Sequence, residues 1–161
     1  MMTPQTKTLI LGLGNELVSD DGFGPAVAQA CRQQFADRHD VHVEITAAAG
    51  FNLLALLEGC EQALIIDVVQ TGKHPPGTVM EWPLHAASAG RTLGGSHQMD
   101  LQATLSLGRR VGQYIPRSIR LLVAEAKDLA TIHEGLSPEL AAAVPQAVAR
   151  LAEWLEGPPQ G

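Results

Sequence analysis

Three polar side chains stand at points of the chain where each could do chemistry. Asp21 follows an apolar run and a glycine turn, Asp67 lies inside an apolar run, and His97 ends a stretch of small residues. Two carboxylates and one imidazole suit a divalent transition ion, with positions left open for water or substrate. Such an ion polarises a carbonyl and lowers the pKa of bound water, and hydrolysis of a peptide bond requires both. These residue types predict a metal-assisted hydrolytic site.

The carboxylates also have structural explanations. Asp20 and Asp21 stand at the predicted start of a helix, where capping and the helix dipole favour acids by roughly 0.5–2 kcal/mol. Both cannot cap the same amides, so we assign the helix start to Asp20 and leave Asp21 available. An unpaired charge inside a core is disfavoured. We therefore place Asp67 at the carboxyl end of its strand, with a cation or donor nearby.

The histidine is the weakest of the three indications, because the chain has six histidines. His39 and His42 flank a predicted edge strand and indicate surface positions, and His74 lies in a turn. His85 lies on the same irregular segment as His97 and is its strongest competitor. The residues alone leave both candidates open.

A glycine turn, Gly12-Leu13-Gly14, offers a second interpretation. The dinucleotide-binding pattern requires a third glycine where this chain has Leu17, and two nearby acids would repel a pyrophosphate. The alternative function is a non-enzymatic, doubly wound module that binds a nucleotide or small anion at this turn. It predicts free backbone amides facing the crevice, with Asp20 and Asp21 turned away.

Alternating strands and helices have to position these residues. Strands are predicted at 8–13, 41–45, 63–69, 78–82 and 118–124, with 78–82 an extra, antiparallel strand. Helices are predicted at about 21–37, at 51–57, after His97 and from Ser137 onward, and Pro145 is expected to divide the last one. Right-handed crossovers place the strand-to-helix loops of a parallel sheet on one edge. The acid pair, Asp67 and His97 are therefore expected to share that edge.

Composition limits the possible classes of protein. A length of 161 residues and a hydrophobic content of 45% predict one domain over 1–161, with 1–7 and 157–161 flexible. A net charge of −6 argues against a nucleic-acid surface, and no apolar run reaches the length of a membrane span. Cys31 and Cys60 lie in apolar surroundings and are predicted to be buried free thiols, which indicates a cytoplasmic protein.

Three ordered motifs resemble those of the hydrogenase maturation proteases. Residues 12–24 are similar to the N-terminal signature of that family, in which a Gly-x-Gly-Asn turn leads into an acid pair at the first helix. Residues 65–72 resemble the second motif, an apolar strand ending in Asp, and residues 50–54 match the segment before it. Residues 96–101 resemble the third, a histidine just before a helix. The resemblance covers about residues 8–155.

The resemblance implies a three-layer α/β/α sandwich around a mostly parallel, five-stranded twisted sheet. It also implies an endopeptidase that removes a C-terminal peptide from the precursor of a [NiFe] hydrogenase large subunit after nickel insertion. Matched motif by motif, the catalytic and metal-contacting residues fall on Asp21, Asp67 and His97. The implied ion is nickel, recognised in the substrate, and another divalent transition metal in the free enzyme stays open. A monomer is favoured.

Two features depart from the family pattern. Many members carry an Asp-Gly-Gly-Thr-like stretch ahead of the second helix, where this chain has Ile-Thr-Ala-Ala-Ala-Gly at 45–50 and Glu44 one place off. This difference suggests another subgroup of hydrogenase as substrate. After the last strand the chain lacks the common proline, and Glu125 either lines the cleft or ends the strand in solvent.

Overall fold

Five strands form one sheet in this computed structural model, which describes residues 6–47, 51–84 and 101–157. The strands are β1 (Thr8–Leu13), β2 (Val41–Thr46), β3 (Gln62–Val69), β4 (Val79–Trp82) and β5 (Ser118–Glu125). Their order across the sheet is β2-β1-β3-β5-β4. Only the pairing of β4 with β5 is antiparallel among these strands. The predicted mostly parallel sheet, its antiparallel strand and the edge position of β2 are confirmed.

Helices cover both faces of the sheet. They are α1 (Phe23–Gln34), α2 (Phe51–Leu57), α3 (Leu101–Arg110) and α4 (Pro138–Glu156). Apolar residues of α1 and α4 pack on one face and those of α2 and α3 on the other, which completes the predicted three-layer sandwich. Within the described ranges, none of the helices combines the length and hydrophobicity that crossing a bilayer requires.

Two interior strands, β1 and β3, are buried along their whole length, as expected for parallel strands with helices on both faces. Side chains alternate between the two cores: Leu64 and Ile66 pack toward α1 and α4, whereas Ile65 and Val69 pack toward α2 and α3. The same alternation directs Asp67 toward the face of α2 and α3. A carboxylate therefore occupies a position that the pattern assigns to a core residue.

The last helix runs without a break through Pro145, so the predicted division at this proline is wrong. A proline inside a helix removes one backbone donor and costs about 3 kcal/mol. Here Pro145 itself is exposed, and buried residues on both sides of it form one stripe against the sheet. The stripe consists of Leu140, Ala143, Ala147, Val148, Leu151 and Trp154. Burial of that stripe outweighs the local cost.

An arginine connects the antiparallel strand pair β4 and β5 to the last helix, α4. Arg120 of β5 donates two hydrogen bonds to Glu81 of β4, at 2.9 and 2.8 Å, and its guanidinium lies 3.8 Å from the centre of the Trp154 ring. The hydrogen bonds from Arg120 lower the pKa of the Glu81 carboxyl. One side chain thus links β4, β5 and α4.

Both cysteines are buried free thiols, as predicted. Cys31 lies in the core under α1 and α4, and Cys60 lies in the core under α2 and α3. Burial raises the pKa of Cys31 to about 12 and that of Cys60 to about 11. Each thiol is therefore held protonated in its own core.

Candidate active site

The acid pair lies in a single 3-10 turn, Ser19–Gly22, between the end of β1 and the start of α1. Asp20 and Asp21 are both 0% exposed. Ser19, just before them, has a φ of +45°, which residues other than glycine rarely adopt. Such backbone strain concentrates at functional sites.

Glycines hold this turn directly against the ends of β1 and β3. A Cβ on Gly24 would lie 2.2 Å from the Leu13 carbonyl oxygen and 2.8 Å from that of Ile66. A Cβ on Gly14 would lie 1.9 Å from the Asp21 carbonyl oxygen. Only glycine permits these approaches, and the 3-10 turn contacts β3 as a result.

Asp67 lies near the carboxyl end of β3, opposite Val123 of β5, and is 0% exposed. Its Oδ1 accepts a hydrogen bond of 2.8 Å from the Val68 amide. Asp21 is held in a comparable way, because its Oδ2 accepts a hydrogen bond of 3.0 Å from the Asn15 amide. The fold thus brings two buried carboxylates, each oriented by a backbone N–H, to one edge of the sheet.

The third predicted residue, His97, lies outside the described residues, and so does its competitor His85. Among the residues that are described, no three His, Cys, Asp or Glu side chains are grouped so as to hold an ion. Asp21 and Asp67 supply the carboxylate oxygens of the proposed donor set, which divalent cations accept. The assignment of all three residues to catalysis and to an ion stays a prediction.

Asp20 does not cap the helix, and the role predicted for it is wrong. The N-cap residue of α1 is Gly22, which has no side chain with which to cap. The Asp20 carboxylate instead accepts four hydrogen bonds of 2.8–3.0 Å from Lys127 N, Asp128 N, Ser137 N and Ser137 Oγ. Asp20 therefore anchors the long loop after β5 to the 3-10 turn Ser19–Gly22, which we call the acid turn.

Backbone bonds join the same two segments. Ser19 N donates to the His133 carbonyl at 2.8 Å, and His133 N donates to the Leu17 carbonyl at 3.0 Å. These bonds form a parallel bridge between Val18 and His133. We call residues 15–20 and 127–137 together the two-loop rim. No pattern in the sequence indicated this pairing.

Glu125, at the end of β5, is only 1% exposed, so the alternative of a solvated strand end is wrong. Its carboxylate accepts hydrogen bonds from Thr71 N at 2.7 Å, from Thr71 Oγ1 and from Gly72 N at 3.3 Å. Glu125 thereby fixes the turn that follows β3, next to the strand end that carries Asp67.

Three amides of the glycine turn already donate to acceptors within the protein, which leaves fewer of them to bind a nucleotide or anion. Gly14 N donates to the Thr46 carbonyl at 3.1 Å. Asn15 N donates to Asp21, and Leu17 N donates to Asn15 Oδ1 at 3.0 Å. Since Asp21 turns toward these amides and not away from them, the alternative function is not favoured.

The protein is an α/β/α sandwich with a buried carboxylate pair at the carboxyl edge of its sheet. Comparison with known sequences identifies the class of protein that has these features. The sequence model of the HycI hydrogenase maturation protease family matches residues 25–154, and the chain belongs to that family. The Hydrogenase 2 maturation protease of Escherichia coli strain K12 is 29% identical over 143 residues, which are 88% of this chain and 86% of that protein.

Solved structures show the same relationship. The hydrogenase maturating endopeptidase HybD from E. coli superimposes with a TM-score of 0.77 at 25% identity, over 93% of this chain and 92% of that one. The [NiFe] hydrogenase maturation protease HybD from Thermococcus kodakarensis gives 0.67 at 25% identity, over 94% and 100%. The predicted family, fold and endopeptidase activity are confirmed.

Proposed function

We propose that the chain removes a C-terminal peptide from the nickel-loaded precursor of a [NiFe] hydrogenase large subunit. The observation that carries the proposal is the pair of buried carboxylates, Asp21 and Asp67, at one edge of the sheet. Family membership supports it, and so does the T. kodakarensis relative, which is described as a [NiFe] hydrogenase maturation protease.

Asp21, Asp67 and His97 are the residues proposed to contact the ion and the reacting groups. The ion is nickel in the precursor, and the proposal includes another divalent transition metal in the free enzyme. When bound, the ion would polarise the scissile carbonyl and lower the pKa of a bound water. The chain itself contributes orientation, because the amides of Asn15 and Val68 fix one oxygen of each carboxylate before substrate arrives.

The substrate's subgroup and the setting of the reaction also belong to the proposal. The family's Asp-Gly-Gly-Thr-like stretch is absent from the sequence at 45–50, which favours a different subgroup of hydrogenase. Two buried free thiols, Cys31 and Cys60, support a reducing compartment such as the cytoplasm. We propose that residues 1–161 act there as one domain and as a monomer on the large-subunit precursor.

Cleavage of purified precursor tests the proposal. We expect wild type to release a C-terminal peptide, detected by mass spectrometry, from nickel-loaded precursor and not from nickel-free precursor. Asp67→Asn should release none, whereas Asp37→Asn, at an exposed position after α1, should cleave as wild type does. An intact nickel-loaded precursor would overturn the proposed activity, and equal cleavage of both precursors would overturn nickel recognition.

A further inference from the structure

Two large apolar side chains project from the two-loop rim. Ile132 is 86% exposed and Leu17 is 59% exposed, the highest values for large hydrophobic residues in the described part of the chain. The parallel bridge between Val18 and His133 sets Leu17 beside Ile132 in register. Backbones joined by such a bridge lie about 4.8 Å apart, and we call these two exposed side chains the rim pair.

Ordered backbone holds the rim pair outward. The Asp128 carboxylate accepts hydrogen bonds of 2.9 and 3.1 Å from the amides of Ala130 and Thr131, directly before Ile132. His133 N bonds to the Leu17 carbonyl on the other side. Removing apolar surface from water lowers the free energy of the system. A fixed loop that keeps this surface exposed is consistent with a partner that covers it.

The rim pair is continuous with the candidate active site. Leu17 N is bound by Asn15 Oδ1, and Asn15 N is bound by the Asp21 carboxylate. One short segment, residues 15–21, thus carries both an exposed apolar side chain and a proposed catalytic acid. Leu17 is therefore close to the acid that the proposed function places at the scissile peptide bond.

Two acidic side chains lie on the same two loops as the rim pair. A half-open pocket of about 260 Å³ adjoins the same two loops and is lined by Glu16, Glu134 and Leu136 among others. Both glutamates are exposed. Their charge disfavours an acidic segment and complements a segment that carries a basic residue beside its apolar side chains.

We propose that Leu17 and Ile132 form a docking point for an apolar, non-acidic segment of the substrate polypeptide. This inference rests on the proposed function, because it takes the hydrogenase precursor as the occupant. The rim pair contributes binding and no chemistry. Its loss should therefore raise KM and leave kcat unchanged.

Steady-state cleavage of the nickel-loaded precursor tests the docking point. The double variant Leu17→Ser/Ile132→Ser should raise KM roughly tenfold, since two buried apolar contacts are lost, with kcat within about twofold of wild type. Leu107→Ser/Val111→Ser is the matched control, because these residues are also exposed but lie at α3. It should leave both constants unchanged, and urea unfolding of each variant should match wild type.

A binding measurement separates this inference from the proposed function. In the background of Asp67→Asn, the Kd for the precursor should rise by the same factor in the rim variant and not in the control. Unchanged Kd or KM in the rim variant, an equal change in the control, or a loss confined to kcat overturns the docking point. Failure of wild type to cleave overturns the proposed function alone, since the Kd comparison needs no turnover.

Discussion

Two adjacent acids have different tasks at the residue scale. Asp20 accepts hydrogen bonds from residues more than a hundred positions away, and Asp21 accepts one from Asn15, six positions away. Both are fully buried, so burial alone does not separate them. The residues that donate the hydrogen bonds separate them, and those donors identify Asp20 as the anchor of the two-loop rim.

Removal of the Asp20 carboxylate should destabilise the protein. Asp20→Ala leaves the amides of Lys127, Asp128 and Ser137 without their acceptor, and we expect the free energy of unfolding to fall by about 3 kcal/mol. Urea unfolding measures the loss. Asp37→Ala, at an exposed position, should change stability by less than about 0.5 kcal/mol. A loss below about 1 kcal/mol for Asp20→Ala would contradict the anchoring role.

Patterns of hydrophobic residues predicted most of the helices and strands. These predictions failed where tertiary packing outweighed a local preference. The apolar runs located β1 and β3, because strands buried on both faces leave a continuous apolar run. The division of α4 at Pro145 was wrong, because a local backbone rule omits the buried stripe that spans the proline. Predictions from local sequence fail where tertiary burial is the larger contribution to the free energy of folding.

The approach of α1 to the sheet depends on Gly24. Gly24→Ala adds a Cβ that would lie 2.2 Å from the Leu13 carbonyl oxygen, so α1 and the acid turn have to move. We expect the free energy of unfolding to fall by about 3 kcal/mol, although alanine favours a helix more than glycine does. Thermal and urea unfolding measure the change.

Gly157→Ala is the matched control for that variant, since its Cβ would meet only an ordinary contact of 3.7 Å with the Glu153 carbonyl oxygen. It should be neutral within about 0.5 kcal/mol. Equal stability of Gly24→Ala and wild type would show that α1 does not need this close contact.

At the scale of the whole molecule, the titration of the two buried cysteines depends on whether the two cores are folded. Their pKa values are raised to about 12 and about 11 in the folded state, against about 8.5 for a free thiol. The unfolded chain therefore loses these protons first, so the thiols stabilise the fold fully below about pH 8.5 and progressively less as pH rises toward 11 and 12.

This linkage predicts a lower free energy of unfolding at pH 10 than at pH 8, measured by urea unfolding. The decrease should be smaller in Cys31→Ala/Cys60→Ala. At pH 8 the native protein should react slowly with a thiol reagent, and both thiols should become reactive in the same urea range. Rapid reaction of either thiol in the native state would contradict its burial.

The candidate site was predictable only in part. Asp21 and Asp67 could be assigned to one edge of the sheet, because alternation of strands and helices together with right-handed crossovers fixes that edge. The rim could not be predicted, since residues 127–137 have no periodicity and pair with 15–20 across more than a hundred positions. Long-range hydrogen bonds of this kind leave no local pattern.

Single-turnover cleavage of nickel-loaded precursor by Asp21→Asn, Asp67→Asn and the double variant tests the central claim most directly. If both carboxylates serve one reaction centre, each single variant should be slower by about a thousandfold or more, and the double variant should be no slower than the worse single one. A single variant within about threefold of wild type, or losses that multiply in the double variant, would contradict a shared centre.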